Sequence, residues 1–269
     1  MFKSTLAGAA MFAAVSSIAM GALGCDTLQP GPTGVVMQVT DGDTVVLQSG
    51  LVVRLVGTQA PKLPLGRDNF ETWPKAEAAR AALEQLALNK PVRLAYGGQS
   101  IDRYQRALAQ MFVTAGDDEI WVQQAMVAQG LARVYSFPDN RQCLDELYRA
   151  EGQARAAGLG IWADPYYSLR AAERPGEILA RVGHYELVEG RVLVADEASG
   201  RVYLNFGRSW KDDFTAVIDA SALKLFAEAK RDPLLLEGAL VRIRGWVDDR
   251  DGPRIAVTHP EQIEVLATR

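Results

Sequence analysis

Short apolar runs, broken by turn-forming and charged residues, recur along the chain and predict two groups of β-strands. In the first group we expect strands at residues 35–39, 44–48, 51–56, 92–96 and 107–113. Apolar residues at helical spacing predict helices at residues 76–88, 122–129 and 140–157. The order is three strands, a helix and two strands, followed by two helices. Five strands with a helix between the third and fourth are typical of an OB barrel.

The strand pattern stops at residues 165–177, where prolines and a glycine predict a linker. It then restarts, with strands expected at residues 185–194, 201–206, 214–218, 240–247 and 254–257 and a helix at 222–230. This is again three strands, a helix and two strands. The predicted fold class is therefore mainly β with helices: an OB barrel over residues 35–164 and a second, OB-like barrel over residues 178–269.

Residues 1–24 have the pattern of an export signal. Lys3 is the only charged residue before a run of small and apolar residues from position 5 to 24. An uncleaved membrane anchor is the alternative, because the uncharged run has about the length that a bilayer requires. Residues 25–34, rich in proline and glycine, are expected to be a tether. The protein is thus predicted to be exported, either periplasmic or anchored to a membrane of a bacterial envelope.

Cys25 directly follows Ala22-Leu23-Gly24 and resembles the lipidated cysteine of a bacterial lipobox, although the match is imperfect. Lipidation of Cys25 would make the membrane a partner, and Asp26 resembles a signal for retention at the inner membrane. Ordinary signal cleavage is the alternative, and it would leave Cys25 free for a disulfide with Cys143. Otherwise Cys143 is expected to be a small buried apolar residue of a helix.

The overall charge argues against binding nucleic acid by charge alone. The chain has 29 basic and 33 acidic residues, with a formal net charge of −4 at pH 7. Tight non-specific binding of nucleic acid needs a strong positive field, which this composition does not supply. Any phosphate site must therefore be local.

Several motifs occur in a fixed order in the first predicted barrel. They are Asp41-Gly42-Asp43-Thr44, Arg54-Leu55 ahead of Pro61, Asp102-Arg103-Tyr104-Gln105-Arg106-Ala107, the stretch 122–134, and Gly160-Ile161-Trp162. Together they resemble the staphylococcal nuclease (thermonuclease) family over residues 35–163. The resemblance implies calcium-assisted hydrolysis of phosphodiester bonds, with DNA or RNA as the substrate.

The family's site residues can be transferred to matching positions. Asp43 would be a calcium-ligating carboxylate, with Asp41 supporting it near the metal. Arg54 and Arg106 would be the catalytic arginines that grip the phosphate and offset developing charge, and Tyr104 would join them in binding the substrate. The chemistry is reasonable, because Ca²⁺ prefers oxygen ligands and the planar guanidinium matches two phosphate oxygens.

Two positions depart from the family pattern. Gln59 stands where the family has a second calcium-ligating aspartate, and Lys62 stands where it has the glutamate that activates water. A general base contributes about 10²–10⁴ in rate, so hydrolysis is predicted to be weak. One hypothesis is that Lys62 replaces the positive charge of the metal and binds phosphate; the alternative is a solvated Lys62 on a mobile loop. The chain would then be a weak nuclease, an inactive phosphodiester-binding module or an envelope scaffold.

The second predicted barrel carries basic and aromatic residues in alternation at 205–210 and 242–250. Such patterns bind single strands in OB-folds. The alternatives are that Trp246 belongs to the core, that Arg242 and Arg244 form a solvated face, and that this domain contacts a protein partner or is a scaffold.

Overall fold

The computed structural model describes residues 25–116, 118–209 and 211–268; the predicted export signal and Trp210 lie outside them. The strands are β1 (Gln29–Asp41), β2 (Thr44–Leu47), β3 (Val52–Leu55), β4 (Gly57–Gln59), β5 (Pro91–Tyr96), β6 (Ala107–Ala115), β7 (Asp118–Trp121), β8 (Arg133–Tyr135), β9 (Arg170–Ala171), β10 (Tyr185–Arg191), β11 (Val194–Ala198), β12 (Arg201–Asn205), β13 (Thr215–Ile218), β14 (Leu240–Asp249), β15 (Pro253–Val257) and β16 (Ile263–Ala267). The α-helices are α1 (Ala76–Ala87), α2 (Val122–Ala128), α3 (Leu144–Ala156), α4 (Pro175–Leu179) and α5 (Ala220–Glu228). Short 3-10 helices lie at Cys25–Thr27, Gly160–Ala163, Pro165–Tyr167, Pro233–Leu236 and Pro260–Gln262.

Five strands close the first barrel. Along the sheet the order is β3-β2-β1-β5-β6-β7, and β3 also pairs with β6 in parallel, which joins the two ends of the five-stranded ring. Inward residues such as Val53, Leu94 and Met111 are buried, and the apolar face of α1, with Ala79 and Leu83, packs on them. The predicted OB barrel is confirmed.

The proline-rich start of this domain is folded, contrary to the tether that the sequence suggests at 25–34. Residues 29–34 belong to β1 and pair with β5, from Gln29 opposite Tyr96 to Val35 opposite Pro91. Proline cannot donate to a ladder, and the register shifts between Pro30 and Thr33. The irregular register accommodates the prolines without ending the strand.

The second sheet curls into a half-barrel. Its order is β11-β12-β13-β15-β14-β10-β9, with β16 added beside β14, and β13 pairs with β15 in parallel. β10 and β11 are consecutive along the chain but do not pair with each other; between them Val192 donates to the Ala239 carbonyl and Leu193 to that of Asn205. The connectivity is that of the first barrel, including a helix, α5, between the third and fourth strands.

The predicted linker at 165–177 is also packed. It contains a 3-10 turn, β9 and α4, and β9 pairs in parallel with β10. Tyr167 is buried and its hydroxyl donates to the Pro74 carbonyl of the first barrel. The segment therefore contacts the first domain through Tyr167 and the second through β9, and it is not a free connection.

None of the helices in the described part of the chain is long and apolar enough to cross a bilayer.

Candidate functional site

The candidate site begins at the turn between β1 and β2. Asp41 and Asp43 are almost fully buried there, and their positions are fixed by backbone donors: the Asp43 N–H donates to Asp41 Oδ1 (3.1 Å) and the Ala60 N–H to Asp43 Oδ2 (2.8 Å). A Cβ at Gly42 would lie 2.6 Å from Ala60 Cβ and 2.8 Å from Ala79 Cβ. Glycine is therefore required for α1 and the following turn to pack over the two acids.

Lys62 projects its ammonium group between these carboxylates. Its Nζ donates to both oxygens of Asp43 at 2.6 Å and to Asp41 Oδ2 at 3.2 Å. The Lys62 carbonyl accepts from the Trp73 N–H, which fixes the backbone of the turn. Lys62 is therefore not a solvated side chain on a mobile loop: its positive charge lies between the two acids that the family resemblance assigns to the metal.

Arg54 lies on β3 beside the same acids. Its guanidinium pairs with Asp43 (3.4 Å) and donates to the carbonyls of Leu55 (2.6 Å) and Thr58 (2.6 Å). The side chain is only 8% exposed. Arg54 is thus fully engaged by the protein, and a phosphate would have to displace these bonds to reach it.

The pKa values of the two carboxyls are shifted in opposite directions. Burial would raise the pKa of Asp43, but the charges of Arg54 and Lys62 outweigh this and hold it well below its usual range. Burial raises the pKa of Asp41, the nearby charge of Asp43 raises it further, and Lys62 offsets only part of the increase. Asp43 is the charged centre of the cluster.

Arg106 and Tyr104 lie in the loop before β6. Arg106 pairs with Asp102 through Nε (2.8 Å) and Nη2 (2.7 Å), and Tyr104 is 64% exposed. The guanidinium carbons of Arg103 and Arg106 lie 5.0 and 5.4 Å from the Tyr104 ring centroid. Burial would raise the pKa of Asp102, but hydrogen bonds from the Arg106 and Tyr104 N–H groups lower it overall.

The structure does not join Arg106 to Arg54. Arg54 is opposite Leu108 in the parallel ladder, whereas Arg106 lies in the loop just before the first residue of β6, Ala107. In the described ranges, no hydrogen bond or ion pair connects Arg106 with Asp41, Asp43 or Lys62.

Gln59 is turned toward a residue that the sequence analysis did not single out, Arg133. The two are register partners in the small β4–β8 sheet, and Arg133 Nη2 donates to Gln59 Oε1 (2.9 Å). Arg133 Nη1 donates to the Tyr185 carbonyl of the second domain (2.7 Å). Arg133 belongs to the stretch 122–134 that carried the family resemblance, but nothing in its spacing indicated this contact.

The residues present do not fit a calcium ion. The family's second ligand is the neutral Gln59, whose oxygen accepts from Arg133, and the charge between Asp41 and Asp43 is already supplied by Lys62. Within residues 25–116, 118–209 and 211–268, no group of three or more His, Cys, Asp or Glu side chains could hold a metal. No calcium-dependent step can be derived from this arrangement.

Cys25 and Cys143 form a disulfide, with their Cα atoms 4.7 Å apart. Cys143 directly precedes α3, so the bond ties the start of the described chain to that helix. Lipidation would consume the same sulfur, and therefore the two modifications of Cys25 exclude each other.

The arginines of β14 are neither solvated nor available to nucleic acid, which corrects both alternatives for Arg242 and Arg244. Arg244 is fully buried and pairs with Glu151 of α3 (2.8 Å) and with Glu264, while Arg242 pairs with Glu189 and Glu264. Trp246 is 44% exposed and not part of the core.

The closed five-stranded barrel and the motifs that surround its paired acids and arginines are those of a nuclease family. Residues 52–164 match the family of staphylococcal nuclease homologues. A thermonuclease of Staphylococcus intermedius is 31% identical over 135 residues, which cover 49% of this chain and 77% of that protein. An uncharacterized endonuclease of Haemophilus influenzae is 31% identical (48% and 65% covered), and protein ParB of Escherichia coli is 33% identical (49% and 73%). The chain belongs to the staphylococcal nuclease family, whose members generally depend on calcium.

Proposed function

We propose that this protein is a nucleic-acid-binding member of the family in which efficient hydrolysis has been lost. The observation that carries the proposal is the position of Lys62 Nζ, 2.6 Å from both oxygens of Asp43 and 3.2 Å from Asp41. An internal ammonium neutralises the acids without offering the open coordination positions of a metal ion. It also occupies the position of the family's water-activating glutamate, a group worth about 10²–10⁴ in rate.

The loop before β6 supports binding. Tyr104 presents an exposed ring between Arg103 and Arg106. Stacking of a base on an aromatic ring is worth about 1–3 kcal/mol, and neighbouring arginines compensate the phosphates. Because Arg54 and Lys62 are both paired with Asp43, this loop is the part of the site that a single strand of DNA or RNA would contact first.

Weak calcium-assisted hydrolysis is the second candidate. It is favoured by similarity to thermonucleases over a whole domain and by the retention of Asp41, Asp43, Arg54 and Arg106. Under this proposal a ligand or metal would first have to displace Lys62, so turnover would be slow.

Residues 25–269 would be titrated with labelled single-stranded DNA and RNA, with calcium and with chelator. Tyr104→Ala and Arg106→Ala should each weaken binding about tenfold, the loss expected for a stacked base or a phosphate contact. Arg93→Ala is the matched control: Arg93 also pairs with an acid, Glu119 (2.6 Å), and lies over a ring, that of Phe112 (4.3 Å).

Three outcomes are informative. Loss of affinity in the Tyr104 and Arg106 variants only, without cleavage, supports the binding proposal. Equal loss in Arg93→Ala would show non-specific attraction and overturn it. Calcium-dependent cleavage that disappears in Arg106→Ala would establish the hydrolytic candidate instead.

For localisation we propose export to the cell envelope. The leader pattern of residues 1–24 supports it, and so does the Cys25–Cys143 disulfide, since such bonds persist in oxidising compartments. Anchoring through a lipid on Cys25 and protein contact through the second barrel stay predictions. The mass of Cys25-containing peptides from exported protein, with and without reductant, distinguishes a disulfide from a thioether lipid.

A further inference from the structure

We infer that Arg133, held by the second barrel, would bind a glutamate carboxylate placed at position 59, so that two internal cations and not Lys62 alone close this site to divalent metals. The inference rests on the proposed loss of calcium chemistry, but it concerns a different residue and a different domain contact.

Arg133 lies in an unusual environment for a guanidinium. It is 3% exposed and donates to two neutral oxygens, Gln59 Oε1 (2.9 Å) and the Tyr185 carbonyl (2.7 Å). Its guanidinium carbon lies 5.3 Å from the ring centroid of Tyr167 and 5.1 Å from that of Tyr185. No carboxylate among the described residues is within ion-pair distance of it. The groups in contact with its charge are therefore dipoles and ring faces, and the nearest carboxylates act only from a greater distance.

Burial lowers the pKa of Arg133, and the more distant charge of Glu186 offsets only part of this. An arginine nevertheless remains protonated in proteins. A buried charge without a counter-ion is unfavourable, whereas a hydrogen-bonded carboxylate would form a strong charge-assisted pair with it. A glutamate at position 59 would have the Arg133 guanidinium at the 2.9 Å distance that the isosteric Gln59 shows, and it would be withdrawn from metal binding.

The second barrel determines where this partner points. Tyr185, the first residue of β10, accepts from Arg133 through its carbonyl and donates from its hydroxyl to the Val134 carbonyl (3.3 Å). Tyr185 thereby forms hydrogen bonds with two consecutive residues of β8, Arg133 and Val134. The metal-ligand position of the family is thus controlled, through Arg133, by a domain outside the residues that match the family.

The first experiment compares two isosteric substitutions in the full chain, Gln59→Glu and Gln110→Glu. Both glutamines are buried, and each accepts one hydrogen bond through Oε1, from Arg133 and from the Trp121 indole (2.9 Å) respectively. We expect Gln59→Glu to raise the Tm by about 2–4 °C or more, because the new charge is paired. Gln110→Glu should lower it. A lower Tm for Gln59→Glu at neutral pH would overturn the inference.

The second experiment measures calcium binding by calorimetry, without nucleic acid. Gln59→Glu with Lys62→Glu places a carboxylate at both family positions, yet it should bind calcium poorly while Arg133 remains. Adding Arg133→Gln should tighten the Kd by about tenfold, equivalent to ~1.4 kcal/mol. Equal affinities in the two variants would contradict the role of Arg133. If the triple variant does not fold, the comparison of Gln59→Glu with Gln110→Glu still tests the role of Arg133. Neither the Tm nor the calcium affinity depends on whether the protein binds or cleaves nucleic acid.

Discussion

The two barrels share a connectivity but use their buried charges differently. In the first barrel, Asp41, Asp43 and Arg54 are buried at the rim, beside Lys62, where they form a compact cluster within one domain. In the second barrel, Arg244 is buried on the outside of the half-barrel and pairs with Glu151 of the first domain. One set of charges builds a site, and the other holds two domains together.

This difference shows how a strand order can be kept while its role changes. The first barrel is closed by the parallel pairing of β3 with β6, which positions Arg54 opposite Leu108. The second repeats the parallel pairing with β13 and β15, but its first strand is interrupted at Val192 and Leu193. Function follows from the side chains at particular positions and not from the topology.

The largest effect is expected at the contact between the barrels. Arg244→Met would leave Glu151 as a buried acid that keeps only its bond from the Val134 N–H and a 3.4 Å contact with Arg155. Breaking a buried pair in this way costs about 3–5 kcal/mol, measured as the free energy of unfolding in urea. Arg254→Met is the control, since Arg254 pairs with Asp248, whose side chain is 43% exposed; it should cost at most about 1 kcal/mol. Equal losses of stability in the two variants would show that the buried Arg244–Glu151 pair contributes no more than an exposed ion pair.

An intermediate effect is expected at the site. Lys62→Met should destabilise the protein by about 2–3 kcal/mol at pH 7, less than the Arg244 change because Lys62 is 20% exposed. The folded-state pKa of Asp43 is lowered, so its stabilising contribution is present above its unfolded pKa of about 3.9 and is lost as the pH falls below that value. Removal of Lys62 raises the pKa of both acids. The difference in the free energy of unfolding between the parent and Lys62→Met should therefore shrink below about pH 4.

Lys90→Met is the control for this change, because Lys90 donates only to the backbone carbonyls of Gln85 and Leu86. Unfolding curves at several pH values check both variants. A Lys62→Met protein as stable as the parent at pH 7 would mean that the ammonium does not neutralise the acids.

The smallest effect at neutral pH is expected at His259. It is fully buried between Ser136 (2.7 Å) and Thr258 (3.0 Å), and burial, aided by the charge of Arg141, lowers its pKa to about 3. Its proton is taken up by the unfolded chain first, so stability should fall by about 1.4 kcal/mol per pH unit below pH 6.5 until the folded-state pKa is reached. His259→Gln should remove this slope. His184→Gln, at the chain's other histidine, should retain it; an unchanged slope in both would refute the assignment.

The sequence predicted the main strands of both barrels because short apolar runs mark buried strands, as in β3 and β14. Motif resemblance likewise brought together Asp41 at the end of β1, Asp43 in the turn to β2, and Arg54 on β3. Lys62 was recognised as a departure from the family, but its contact with both acids depends on the path of the turn after β4, which no local pattern encodes.

Contacts between residues far apart along the chain, within the first barrel and between the domains, could not be predicted. Gln59 and Arg133 meet through β4 and β8, two strands of only three residues each, too short to produce a pattern. Arg244 and Glu151 are 93 residues apart along the chain. On β14, Arg244 alternates with apolar residues like a solvated arginine, and only the position of the first domain makes it buried.

The early start of β1 leaves little free chain between Cys25 and the first barrel. Four residue steps separate Cys25 from Gln29, a span of at most about 14 Å when fully extended. Over so short a distance, the first residue of β1 cannot move far from the Cys25 sulfur. If Cys25 carried a lipid instead of the disulfide, as its sequence context predicts, this short connection would hold the first barrel close to the membrane surface and limit the orientations open to it.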